Sequence, residues 1–492
     1  MVEIPKLDPS EAPRARRWDA LVLGSGLPAL VAAARISATG QRVLVVEEEA
    51  RTTLPAAVKE PFFLSGLRDQ GMLDATMRAL TVPLIDRRRI GNERLAYQIA
   101  ADPYRVDIGQ PILSAEELVA WGLAKPDDAQ TLVRRRVEAS ETEREILYES
   151  PFVRIGRRSA GVGRPPARGN PNTATVGNHK RGLPGEVVAA QGPLARVMQA
   201  EIRALSNFGT RTPSPEAQAR LLGLGLAGGA GFADDPPWLI DLFRKRVTAL
   251  YGDMRTLPGD FEFVQVAGQP GIRVIRTGEI WLGRALVLGA PTSALRDAYG
   301  DEPGRPAPSM LDRGTRRAYR AVFLFRVATS ILPEGMGARV ILPGNINGEM
   351  HADSPAAATS GITAAVTAYP CQTHPGRIDL VARAVLPDVE PSNLNEQLQV
   401  LRQDIAGRLQ ALMPFCGDGL AQIELKAPSW DSDDGWLEDP RSDSAWPGEI
   451  DLRLSSKPPV YLLDRAGAAG LGLEGDLLLG WRGGDAIAEA LS

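Results

Sequence analysis

The segment from Asp19 to Glu49, DALVLGSGLPALVAAARISATGQRVLVVEEE, constrains the fold of this chain more than any other stretch. Ala20-Leu21-Val22-Leu23 is a short apolar run of the kind a buried parallel strand requires. It leads directly into Gly24-Ser25-Gly26-Leu27-Pro28-Ala29, a G-x-G-x-x-A string in which each small residue has a task. Gly24 permits a tight turn, Gly26 lets a pyrophosphate approach the backbone, and Ala29 lets the following helix lie close to the strand. The pattern predicts an Ala-rich helix over 28–39 that stops at Gly40, with its N-terminal amides and dipole facing the anion. A second strand, Arg42 to Val46, comes next, with Glu47 at its end and Glu48 beside it. An acid about twenty positions after the turn is placed to bind ribose hydroxyls, which favours FAD or NAD over NADP.

The chain carries its own control. Gly223-Leu224-Gly225-Leu226-Ala227-Gly228 also matches G-x-G-x-x-G, but SPEAQARLL before it reads as helix and Asp234-Asp235-Pro236-Pro237 breaks the chain soon after it. It is read as a structural Gly-rich segment. With 492 residues the chain is too long for one compact core. A net charge of −4 gives no support to a nucleic-acid binder. Two cysteines, Cys371 and Cys416, exclude a disulfide framework. The N-terminus shows no apolar stretch of the secretory kind, and the longest uncharged apolar run, 221–233, is too short to span a bilayer, so a cytoplasmic location is expected. The three histidines, His179, His351 and His374, are scattered, and there is no His-Glu-x-x-His, Cys-x-x-Cys or Gly-x-Ser-x-Gly. Metal-dependent and serine-hydrolase chemistry are therefore not expected.

Four further segments extend the pattern. Arg51 follows Glu47 closely, with Thr53-Leu54 behind it. Residues 240–299 pass from the helical IDLFRKRVTALYG through the strands FEFVQVAG and IRVIRTGEIWL to RALVLGAP. LNEQLQVLRQDIAGRLQALMP keeps a helical period at Leu394, Leu398, Leu401, Ile405, Leu409 and Leu412, which reads as core. The chain ends in GLGLEGDLLLGWRGGDAIAEAL. Over its whole length the sequence resembles the flavin superfamily that includes phytoene desaturases, carotenoid isomerases, protoporphyrinogen oxidase, amine oxidases and the GDP-dissociation inhibitors. It departs from that pattern at Thr53-Leu54, where the superfamily has two glycines after the arginine.

The resemblance implies an α/β chain with a discontinuous Rossmann-type FAD-binding domain, formed by 15–65, 186–300 and 455–492. An α+β substrate domain, 66–185 and 301–454, would be inserted into it. It implies FAD held noncovalently, since the closing motif offers no histidine or cysteine. The implied contacts are Gly24, Ser25, Gly26, Leu27, Ala29, Glu47, Glu48 and Arg51, with Gly475 and Asp476 at the end of a strand near the ribityl chain. Gly483 and Gly484 would open the last helix beneath the flavin, and Trp481 would face the ring or serve in packing.

Hydride transfer to a flavin needs no protein nucleophile or metal, and no residue is assigned as a catalytic acid or base. The leading expectation is a phytoene-desaturase-like enzyme acting on a C–C bond, or a C–N bond, of a hydrophobic substrate. Amine oxidases of the superfamily commonly carry a lysine against the flavin, and no lysine occurs between Lys245 and Lys426. The alternatives are an amine or amino-acid oxidase and a non-redox binding protein resembling the GDP-dissociation inhibitors. Between Pro151 and Gly185 stand six arginines and one lysine with no acid. This is read as a surface loop, with attachment to an anionic membrane surface or an acidic partner as the functional alternative. The acidic, Trp-containing stretch 429–443 reads as a loop.

Overall fold

The computed structural model describes residues 4–11, 15–48, 71–149, 153–156, 192–206, 215–232, 238–257, 261–289, 318–344, 361–371, 373–387, 389–424, 436–437, 450–463 and 472–492. The first apolar run becomes strand β1 (Arg16–Leu23), followed by helix α1 (Leu27–Ala38) and strand β2 (Val43–Glu48). β1 and β2 pair in parallel, with Ala20 opposite Val43, so the connection between them is a βαβ crossover. Helix α2 (Trp238–Ala249) packs on α1 and leads to β3 (Asp253–Leu257), which pairs in parallel with β2. β4 (Ile280–Leu288) lies parallel to β1 on its other side, and β5 (Pro459–Leu462) lies parallel to the second half of β4. The result is a parallel sheet in the order β5-β4-β1-β2-β3. The antiparallel hairpin Phe261–Val266 and Gln269–Val274 extends it along the first half of β4. The expected strand IRVIRTGEIWL is in fact two, broken by a turn at Gly278 with φ of +70°.

One face of this sheet is covered by α1, α2 and the C-terminal helix α3 (Leu473–Leu491). α1 and α3 approach closely because Gly480 and Gly484, one turn apart, face α1. A Cβ on Gly480 would lie 2.7 Å from Val31 Cβ, and one on Gly484 would lie 2.7 Å from Arg35 Cβ. Arg35 then clasps Asp485, its Nε donating to Oδ1 at 2.7 Å. The contact pairs run in the same direction along both helices, so α1 and α3 are parallel and both present their N-termini at the carboxyl edge of the sheet.

A second sheet, of eight strands and mainly antiparallel, carries separate cores on its two faces. Its long strands are Ala318–Ala328, Arg377–Leu386 and Ala364–Pro370. The amphipathic helix Leu394–Leu412 covers one face, with Leu401, Ile405, Leu409 and Leu412 buried as its period requires. Helices Pro111–Ala120, Pro193–Leu205 and Pro215–Leu224 share the core on the other face. Residues 192–206 and 215–224, grouped with the first sheet in the sequence reading (186–300), pack on the second. Their apolar faces meet Tyr97 and Ile99, and Glu201 accepts hydrogen bonds from Tyr97 Oη and Arg136 Nη2, both at 2.5 Å, in the buried interior. Burial raises the Glu201 carboxyl above its ordinary range and raises the Tyr97 hydroxyl as well. The second Gly-rich string closes helix Pro215–Leu224 and packs on this core, with Gly225 against the Tyr97 ring. Among the described residues no helix is long and apolar enough to cross a membrane.

The seam between α1 and α3 makes a specific prediction. Gly480→Ala should lower stability by about 1–3 kcal/mol through overpacking, although alanine is the better helix former. Gly407→Ala, in helix Leu394–Leu412 where an added Cβ meets nothing within 4 Å, should raise it by up to about 1 kcal/mol. Urea unfolding midpoints of the two variants check both signs.

Candidate functional site

The site is built where β1 ends. Gly24 takes φ of +107°, a left-handed conformation that favours glycine, and its N–H bonds to Val46 O at 2.8 Å, tying the turn to β2. Ser25 is half-buried between the two glycines. Gly26 is the N-cap of α1, and its carbonyl accepts the Leu30 N–H at 3.0 Å. No side chain caps this helix, and its first turn holds no acid. The first-turn amides have no partner within the helix. Leu27 is the first helical residue and is buried; Pro28 follows and supplies no N–H. A Cβ built on Gly26 meets nothing nearer than Pro28 Cδ at 3.9 Å and Gly289 O at 4.0 Å. Among the described residues nothing crowds Gly26, so its surroundings leave room for an anion at the helix N-terminus.

Ala29 is small for a reason the sequence shows only in part. Gly289, just beyond β4, sits against it; a Cβ there would come within 2.6 Å of Ala29 Cβ. Gly289 N–H bonds to Leu23 O at 2.8 Å and Leu463 N–H to Leu288 O at 2.9 Å, so the ends of β1, β4 and β5 are stitched together beside α1. The sequence marks RALVLGAP as a segment but not the packing role of Gly289, which the small-residue step after an apolar run could have signalled.

Glu47 stands at the end of β2 with its side chain 15% exposed. Its Oε2 accepts from Arg244 Nη2 of α2 at 2.7 Å. Arg244 was not anticipated, because one arginine on an amphipathic helix reads as part of a solvated face. Glu48 closes the strand, opposite Leu257 of β3. Arg51, with Thr53-Leu54, lies outside the described residues, as do His179, His351 and the basic stretch apart from 153–156.

The chain's last segment differs from expectation. Gly475 and Asp476 do not end a strand. They lie in the first turn of α3, which starts after Gly472 (φ +61°), and the Asp476 N–H bonds to Gly472 O at 3.1 Å. Asp476 is buried at 4% exposure. Gly483 and Gly484 do not open a helix either. They are interior to α3, Gly483 beneath Leu463 and Leu452, and Gly484 against Ala32 and Arg35. Among the described residues the strand before α3 is β5, and Gly480 and Gly484 serve close packing and not a turn. Trp481 packs at the edge of the helical core with the Arg482 guanidinium 4.5 Å over its ring. Glu474, also in the first turn, forms a buried ion pair with Arg220 of helix Pro215–Leu224, which ties the second core to the start of α3.

Because α1 and α3 are parallel and Gly480 meets Pro28 and Val31, the first turn of α3 extends past that of α1 by about one turn. The edge thus presents two helix N-termini at different heights, with Glu47 to one side. His374, on the hairpin after Ala364–Pro370, is exposed and engaged by Arg326 and Thr373, away from this edge's residues in the sheet order.

No protein-family model matches the chain, and no curated protein matches it in sequence. Solved structures do match in fold. An oxidoreductase from Methanosarcina mazei superposes with a TM-score of 0.55 at 14% identity, covering 94% of this chain and 98% of that one. A putrescine oxidase triple mutant from a redesign of cofactor binding gives 0.56 at 12% identity, covering 96% and 99%. Wild-type putrescine oxidase bound to putrescine gives 0.54 at 12% identity with the same coverage. The fold is thus that of these oxidoreductases across nearly the full length of both chains.

The two glycines of the edge should respond differently to substitution. Gly26→Ala should leave the thermal midpoint within about 2 °C, since its Cβ enters open space. Gly289→Ala should cost about 1–3 kcal/mol, because that Cβ collides with Ala29. Thermal unfolding followed by circular dichroism separates the two.

Proposed function

We propose that this chain is an FAD-dependent oxidoreductase that moves hydride between flavin and a C–C bond of a hydrophobic substrate, in the manner of the phytoene desaturases. The observation that carries this reading is the uncapped N-terminus of α1, open in front of Gly26 and flanked by Glu47, at the carboxyl edge of a parallel sheet. In this reading the first-turn amides of α1 hold a pyrophosphate and Glu47 holds the adenosine ribose. The start of α3, with Gly475 and Asp476, turns its positive end toward the ring beyond. Bound flavin would supply a two-electron acceptor, so the protein's part is to bind, orient and shield. In this reading the second sheet forms the substrate domain, together with residues 192–206 and 215–224, which pack on it. The basic segment between 151 and 185 is proposed as the contact with an anionic membrane from which a lipophilic substrate is drawn.

One observation favours a second reading, an amine oxidase: the putrescine oxidase structures share the fold over 96% of this chain. Against it stands the lack of any lysine between Lys245 and Lys426.

The purified protein should be yellow and should release FAD on denaturation, as noncovalent binding requires. A colourless protein that takes up no added FAD would sink the reading. Gly26→Glu should abolish flavin retention, by bulk and charge at the pyrophosphate position, while the fold persists. Amines, putrescine included, should give no peroxide above background; robust release would move the assignment to the second reading.

A further inference from the structure

We infer that Arg244 is a positioning residue for the adenosine ribose: it holds Oε2 of Glu47 and so presents Oε1 to the ribose 2′-hydroxyl. The inference rests on the nucleotide-binding reading above and adds to it a residue that no sequence motif marks. Arg244 Nη2 donates to Glu47 Oε2 at 2.7 Å, and its Nη1 donates to Asp241 Oδ1 at 3.1 Å. Glu47 Oε1 has no hydrogen-bond partner among the described residues. The guanidinium is held from behind by a rigid element. Leu239, Phe243 and Val247 of α2 are buried in the core shared with α1, which sets the helix rotation and places Arg244 at the end of β2.

Stability alone does not account for the pair. With Arg244 35% exposed and Glu47 15% exposed, such an ion pair adds little to folding. Its effect on a ligand is larger, because an acid fixed in one rotamer loses no further freedom when a hydroxyl binds. A charge-assisted hydrogen bond from a sugar hydroxyl to a pre-oriented carboxylate corresponds to roughly tenfold or more in affinity. The pairing also separates the roles of the two groups. Glu47 reads the ribose, and Arg244, which could otherwise attract a 2′-phosphate, is occupied by the carboxylate.

The test is calorimetric titration of ADP and 2′-deoxy-ADP into the full chain freed of any flavin. Wild type should bind ADP about tenfold tighter than 2′-deoxy-ADP. Arg244→Met should lose most of that ratio by weakening ADP alone, and Arg244→Lys should restore part of it. Equal weakening of both nucleotides in Arg244→Met would show a packing role and overturn the inference. So would unchanged binding of both, or a wild type that does not distinguish them. Should Arg244→Met not fold, Arg244→Gln, which keeps a polar side chain on the same helix, decides by the same ratio. Flavin content of the wild type is read separately. Discrimination without flavin would refute the FAD reading and leave Arg244 in its role, and flavin without discrimination would do the reverse.

Discussion

The contact on which the site depends is the approach of α1 and α3 at Gly480 and Gly484. No side chain fits there: Val31 Cβ, Pro28 O and the Ala32 backbone already occupy the space that a Cβ would need. The contact pairs hold α1 and α3 parallel, with the first turn of α3 about one turn beyond that of α1, and the Arg35–Asp485 pair closes the seam further along. Placing the last helix of the chain against the first brings its N-terminal turn to the edge where β1, β4 and β5 finish. Gly289 performs the same service between strand and helix. The edge is therefore defined by small residues on both sides, and its openness before Gly26 is a property of the packing.

The second sheet reaches this edge through side chains that have little to do with its own core. Arg220, on a helix whose other residues pack against Tyr97 and Ile99, meets Glu474 in the first turn of α3. A buried ion pair is weak evidence for stability, since desolvation offsets most of the attraction, but it is specific about register. Joining helix Pro215–Leu224 to α3 fixes where the second core stands relative to the helix that ends the first. Residues 192–206 and 215–224 meet partners from much earlier in the chain, Tyr97, Arg136 and Ser140, which proximity in sequence does not reveal.

The features legible in the sequence were local ones. The β1–α1–β2 unit follows from a run of apolar residues, a two-glycine turn and an Ala-rich period, all within about thirty residues. The amphipathic helix Leu394–Leu412 was equally plain. The closing segment reads differently in sequence and in structure because a glycine carries two meanings. In GWRGG it suggests a turn, yet Gly480 and Gly484 are one helical turn apart and face α1, a partner some 450 residues away in sequence. Arg244 escapes notice for the opposite reason. Its helix displays several cations, and only the structure shows that one of them ends beside Glu47.

Parallel packing of α1 and α3 has an electrostatic consequence. Side by side, their dipoles place two partial positive charges at one edge, an arrangement less favourable than an antiparallel pair. The protein compensates unevenly. The first turn of α3 contains Glu474 and Asp476, both buried, whereas the first turn of α1 contains no acid and has no side-chain cap. Glu474 is further committed to Arg220, which removes much of its charge from the balance. Glu47, at the end of β2, is turned toward Arg244, and Asp485 toward Arg35. Among the described residues the first turn of α1 thus carries no acid and no side-chain cap to offset its positive end. The anionic pyrophosphate of the proposed flavin would supply at α1 the negative charge that Glu474 and Asp476 supply at α3.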